Sequence, residues 1–279
     1  MKLSPRYDSP TFLSIDGRPD DQSAAVRRQR RRLESLLAEL GDDEWHVQSR
    51  CDAWTVQDVV AHLVGVNAFW EASVSAGLAG KPTRLLETFD PAAHPPLIIE
   101  PMRALTPRAT FDRFVASNDG FLGALAMLDD EGWSTPAESP AGHVPIRLLA
   151  HHALWDAWVH ERDIAIPLGI AAAEDPNEIT SCLRYAAAVG PVTSGDNRAF
   201  VGDLGVVADG PDVRFTLTIG DSVAVRDDPP VGETPCLRGS AVHLTEALSV
   251  RAPLPADAPA EWRRLVRSLA AVFDTEPEE

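Results

Sequence analysis

Apolar residues recur at helical spacing in four stretches of the first two thirds of the chain. From Ser23 to about Leu40, "AAVRRQRRRLESLLAEL" repeats apolar positions every three or four residues, and Gly41 supplies a C-terminal stop. In "CDAWTVQDVVAHLVGVNAFWEASV", Thr55 stands three residues before Asp58 as an N-cap, and Val59, His62, Leu63, Val66 and Trp70 share one face. "RATFDRFVASNDGFLGALAML" predicts a third amphipathic helix, and Pro145 to about Ile164 a fourth, ended by Pro167 and Gly169. A proline-containing stretch from Lys81 to about Pro107 reads as a loop long enough to be a lid or a wrap. Four long helices in succession predict a bundle, whose core is the usual place for facing side chains to build a site.

The pattern changes near residue 200. "AFVGDLGVVA", "VRFTLTIG" and "SVAVRD" combine β-branched residues, partial alternation and "DG" and "GD" turn signals, which predicts strands and hairpins. "SAVHLTEALSV" and "EWRRLVRSLAAVF" return to helical spacing. The predicted fold class is a mixed α and α/β chain: an extended arm over residues 1–22, a four-helix bundle over 23–174 and a smaller α+β domain over 175–279.

Composition narrows the function classes. The chain has 279 residues, 44% hydrophobic and 24% charged, as expected of a globular protein that buries its core without disulfides. A formal charge of -17 argues against nucleic acid as a partner. The local run Arg27 to Arg32, "RRQRRR", reads as the solvated face of the first helix. Cys51, Cys182 and Cys236 stand far apart without CxxC spacing, which suits a reducing compartment. No apolar run approaches the ~20 residues that span a bilayer, and "MKLSPRYDSP" lacks a secretory apolar segment, so the expectation is a cytoplasmic protein with no membrane partner.

The chemistry concentrates in "HHALWDAWVHERD", residues 151–163. His152, Asp156 and His160 follow at intervals of four, so on a helix they form one stripe. His62, taken alone, is more often a core histidine than a ligand. Together with Asp156 and His160 from another bundle helix it gives two imidazoles and a carboxylate. With an open fourth position, that set is the catalytic form of a zinc site, and it also accepts iron or nickel. His152 is an alternative to Asp156, whereas His151 lies off the stripe. Asp163 and Glu161 are either acceptors that fix an imidazole or ordinary acids of the helix.

These residues resemble the mycothiol-dependent maleylpyruvate isomerase family of actinobacteria, whose N-terminal domain is a DinB-like, metal-binding four-helix bundle. "CDAWTVQDVVAHL" is similar to the family's C-x-G-W-T-V-x-D-V-x-A-H-L, which implies His62 as a ligand. "DAWVHERDIAIPLG" is similar to its E-x-x-x-H-x-x-D-x-x-x-x-x-G, which implies position 156 and His160 as the others. "CLRGSAVHLTEALSVRAP" resembles the C-terminal domain's pattern, with Gly239 and Arg251 in the matching places. Two positions depart from the family: Ala53 stands for the usual glycine and Asp156 for the usual glutamate. Aspartate is one methylene shorter, so it reaches an ion only if the helix moves in; otherwise water or His152 fills the place.

The resemblance implies a divalent metal and mycothiol, a sugar thiol whose sulfur the metal binds or activates. A metal-coordinated thiol is deprotonated and becomes a nucleophile at neutral pH. The implied activity is isomerisation or S-conjugation of a small-molecule electrophile. An anionic substrate would need fixed cations, and Arg251 and Arg238 are the catalytic candidates, with Arg84 a further one. Trp70, Trp155 and Trp158 are read as core packing. The alternatives are a metal-dependent biosynthetic or hydrolytic enzyme that does not use mycothiol, and a metal-binding scaffold with a degenerate site.

Overall fold

The computed structural model describes residues 3–9, 11–17, 22–193 and 200–273. The helical domain is built from α1 (Gln22–Ala38), α2 (Val56–Leu78), α4 (Pro107–Ala126) and α5 (Ile146–Ala165), with a short α3 (His94–Ile99) between α2 and α4. α2 begins at a reciprocal cap: Asp58 donates its backbone N–H to the Thr55 hydroxyl, and the Asp58 carboxylate accepts the Thr55 N–H. Such a cap contributes about 1 kcal/mol and fixes where the helix starts. Every residue of α5 except Arg147 and Asp156 is buried, because α5 packs on α1, α2 and α6 (Pro176–Thr193). α2 is by length and composition apolar enough to cross a membrane, but it packs against α4 and α5 inside the bundle.

The stretch read as a loop over 81–107 contains α3, whose prolines occupy its first turn, where a missing N–H costs nothing. It wraps onto α2: Ile99 and Met102 pack on Ala61, and Arg103 pairs with Asp58 at 2.9 Å. Strands β2 (Pro136–Ser139) and β3 (Gly142–Pro145) form an antiparallel hairpin just before α5. The α+β domain contributes β4 (Gly202–Asp209), β5 (Val213–Ile219), β6 (Val223–Arg226) and β7 (Cys236–Ser240), then α7 (Ala241–Leu248) and α8 (Ala260–Val272). The arm supplies β1 (Leu13–Ile15), which pairs parallel to β6 and completes a five-stranded sheet in the order β1-β6-β5-β4-β7. At Arg6 the arm crosses the hairpin at Gly142, whose φ of +115° and lack of a Cβ allow the Arg6 backbone to take that space.

One apolar core runs through both domains, with Trp70, Trp155, Trp158, Tyr185, Phe215 and Trp262 all buried in it. The basic run of α1 is not simply a solvated face. Gln29 and Arg30 are fully buried against α5, where Gln29 donates to the Ala157 carbonyl at 3.0 Å and Arg30 to that of Ala153 at 3.3 Å. Arg32 bridges Glu161 at 2.7 Å and Glu178 at 2.8 Å. Alanines at 153 and 157 let α1 come close enough for these contacts.

Candidate metal centre

α2 and α5 bring His62, Asp156 and His160 together, one donor atom from each lying within 4.8 Å of the others. The two imidazoles meet edge to face, with ring centroids 4.9 Å apart and an interplanar angle of 72°. His160 Nε2 lies 3.7 Å from Asp156 Oδ1. Asp156 Oδ2 is buried without a hydrogen-bond partner, and His62 makes ring contacts with Trp54 and His160 but no hydrogen bond among the described residues. A buried carboxylate oxygen without a donor is costly unless a cation compensates it, so this donor set fits a divalent ion. A tetrahedral ion with bonds of about 2.0–2.1 Å holds its ligands about 3.3 Å apart, so a modest closing of the three groups would complete the set.

His160 is held from its other side. Its Nδ1 lies 3.1 Å from Asp163 Oδ2, and Cys51 Sγ donates to the same oxygen at 3.2 Å. Arg251, from the α+β domain, donates Nε to Asp163 Oδ1 at 3.0 Å and Oδ2 at 3.2 Å, and its Nη2 reaches Cys51 Sγ at 3.5 Å. Burial opposes a charge on His160, but the Asp163 and Cys51 hydrogen bonds and the charge of Asp156 push it up to about 10. Burial, reinforced by the charge of His160, pushes His62 down to about 4. Asp163 is fully buried, yet His160 and Arg251 hold it well below the usual carboxylate range. The His160–Asp163 contact directs Nε2 toward Asp156 and His62, as an outer carboxylate does for a metal-bound histidine.

The backbone on both sides of this cluster is unusual. Ala53 (φ +59°) and Val250 (φ +57°) occupy the left-handed region, two residues after Cys51 and one before Arg251. The family's usual glycine at position 53 thus has a conformational reason in this chain.

Other candidates fall elsewhere. His152 Nδ1 lies 2.6 Å from the Tyr185 hydroxyl, its ring packed on Trp70 and Trp155, so it belongs to the core cluster and not to the donor set. His151 is buried with Nδ1 unpartnered. Glu161 accepts from Arg32 and Gln29. Arg238 is exposed on edge strand β7, and no contact among the described residues joins it to the cluster. Arg84 lies over the Tyr7 ring at 4.9 Å and pairs with Asp8 at 3.5 Å. Cys51 and Arg50 were not singled out as site residues from sequence; the opening cysteine of the "CDAWTV" motif was the available signal.

A helical bundle with a histidine–carboxylate donor set, followed by an α+β domain that reaches back into it, defines a two-domain class of protein with a candidate metal centre near the domain boundary. The family model described as the mycothiol maleylpyruvate isomerase N-terminal domain matches residues 26–165, half of the chain, and the chain belongs to that family. The fold is similar to the crystal structure of the mycothiol-dependent maleylpyruvate isomerase, at a TM-score of 0.62 and 14% identity over 87% of this chain and 92% of that one. A histidine-to-alanine mutant of that enzyme is similar at a TM-score of 0.62 and 14% identity over 85% of this chain and 91% of that one. No curated protein matches the chain by sequence.

Proposed function

We propose that this chain is a metal- and mycothiol-dependent enzyme that activates a thiol for isomerisation or S-conjugation of a small electrophile. The observation that carries the reading is the convergence of His62, Asp156 and His160 from two helices, with the buried Asp156 Oδ2 left unpartnered. His62 and His160 would hold the ion through ring nitrogens and Asp156 through its carboxylate, a set suited first to zinc and also to iron or nickel. Such a site, with its ion bound, would keep a thiol sulfur ionised at neutral pH.

The protein's own groups do the rest. Asp163 accepts from His160 Nδ1 and so keeps Nε2 as the ligating nitrogen. Arg251, 3.0 Å from Asp163 and partly exposed, offsets the buried carboxylate and adds positive charge beside the centre for an anionic substrate. Addition of the sulfur across a cis double bond, rotation about the resulting single bond and expulsion of the same sulfur would give the trans isomer with the thiol regenerated. Protonation of the neighbouring carbanion by solvent, with the thioether retained, would instead give a conjugate. Family membership supports the thiol, since the matching model is named for mycothiol and maleylpyruvate.

Metal analysis of the purified protein tests this reading. About one zinc per chain, lost in both His62→Ala and His160→Ala, is expected, and protein without metal would point to the scaffold alternative. Calorimetry with mycothiol, followed by assay on maleylpyruvate, then separates a thiol-dependent enzyme from a metal hydrolase, which would bind the ion and ignore the thiol.

A further inference from the structure

The end of α7 sends three side chains back to the helical domain within six residues. Glu246 Oε1 accepts from Arg50 Nη1 at 2.6 Å and from Arg162 Nε at 3.0 Å. Ser249 Oγ accepts from Trp155 Nε1 at 2.8 Å, next to Asp156 in the chain. Arg251 reaches Asp163 as described above. Arg50 is the hub of this arrangement: its Nη2 donates to the Arg251 carbonyl at 2.6 Å and its backbone N–H to the Asp163 carbonyl at 3.1 Å. The Arg251 N–H returns to the Glu246 carbonyl at 2.9 Å, and Val250 in the left-handed region makes this reversal possible.

We propose that Glu246 is a positioning residue for the metal-binding imidazole, fixing Arg50 and thereby Arg251, Asp163 and the Nδ1 side of His160. The inference rests on the metal reading given above and adds that a competent centre in the bundle requires the α+β domain to be docked. Glu246 does not touch the donor set. It acts through Arg50, which is tied to the Asp163 carbonyl and to the Arg251 main chain, so losing its charge frees that arginine. The side chain is only 15% exposed, so water does not readily replace it as an acceptor.

Zinc affinity, measured on the full chain by competition with a chromogenic chelator, tests the assignment. Glu246→Gln is expected to weaken zinc binding about tenfold, the lower end of what outer partners of metal ligands contribute. In an Asp163→Asn background the same change is expected to add nothing, because the path to His160 is already cut. Unchanged affinity in Glu246→Gln, or an equal loss in both backgrounds, would overturn the inference. If Glu246→Gln fails to fold, Arg50→Lys decides, since lysine can pair with Glu246 but cannot hold the Arg251 carbonyl as well. It is expected to weaken zinc similarly, and parent-like affinity would overturn the proposal. Failure of the parent protein to take up zinc would overturn the metal reading and this inference together, a result distinct from a parent that binds and variants that bind equally well.

Discussion

His160 Nδ1 and Asp163 Oδ2 lie 3.1 Å apart, which leaves Nε2 as the nitrogen that faces Asp156 and His62. Replacing Asp163 with asparagine keeps the shape but removes the charge that draws the Nδ1 proton. Asp163→Asn should lower zinc affinity by about 10–100-fold, measured by chelator competition. Parent-like affinity would mean that Asp163 serves only Arg251.

Asp156 is one methylene shorter than the glutamate usual at this place in the family. Asp156 Oδ1 lies 3.7 Å from His160 Nε2, against the ~3.3 Å between ligands of a tetrahedral ion, and the longer glutamate would reach further into the donor set without moving α5. Asp156→Glu is therefore expected to tighten zinc binding, on the order of tenfold or ~1.4 kcal/mol. Weaker binding in this variant would show that α5 already moves inward to suit aspartate.

Ala53 holds a left-handed backbone at φ +59°. That conformation costs an L-residue about 1–2 kcal/mol, and glycine gives back about 0.5–1 kcal/mol through its freer unfolded chain. Ala53→Gly should raise unfolding stability by roughly 0.5–1 kcal/mol in urea titration. Any loss of stability would place the strain elsewhere.

These cases show what the sequence makes legible. His62 and His160 could be read because helical periodicity and the Thr55 cap set the faces of α2 and α5 in advance of any tertiary structure. The α3 helix was hidden by prolines that its first turn tolerates, and the β2–β3 hairpin by strands too buried to alternate. The burial of Arg30 was hidden because a basic run ordinarily signals solvent, and only small residues on another helix reverse that. The contact between Arg251 and Cys51 spans 200 positions and two domains, and no local periodicity encodes it. For the same reason the pairing of Arg251 with Asp163 at 3.0 Å is not legible in the sequence, which offers Arg251 only as a cation for an anionic substrate.

His151 and His152 are both buried, and burial pushes each down to about 4; beside it, the positive charge of Arg184 acts on His151 the same way, while Asp156 partly opposes the shift at His152. In the unfolded chain they titrate near 6.5, so as pH falls below that value the unfolded state takes up protons that the folded state refuses. Stability is fully present above about pH 6.5 and is lost progressively down to about pH 4, by on the order of 3 kcal/mol for each histidine. Urea midpoints at pH 7, 6 and 5 should fall in that order. Midpoints independent of pH would show that these imidazoles are solvated or already charged.

Glu138 fastens the arm and the 81–88 segment to the hairpin, far from the candidate metal centre. Its buried carboxylate accepts the Tyr7 hydroxyl at 2.7 Å and the Leu86 N–H at 2.8 Å on one oxygen, and the Thr83 hydroxyl at 2.6 Å and the Leu85 N–H at 2.9 Å on the other. His143 strengthens the joint, with Nε2 2.8 Å from the Thr83 carbonyl and its ring 4.8 Å from that of Tyr7. In glutamine, whichever oxygen becomes an amide nitrogen sets one backbone N–H, that of Leu85 or Leu86, against another donor, while the hydroxyl on that side, of Thr83 or Tyr7, can turn to accept. One bond to a charged acceptor lost, with its N–H left buried against another donor, amounts to roughly 2–3 kcal/mol. Glu138→Gln should therefore lower the unfolding free energy by about that much and open the arm and the 81–88 segment to protease before the rest of the chain. Zinc affinity should stay at the parent value: the hairpin contacts α2 through Ser73, eleven residues and ~16 Å along the helix from His62. A variant that loses zinc while its arm stays protected would mean that the hairpin end of α2 governs the position of His62.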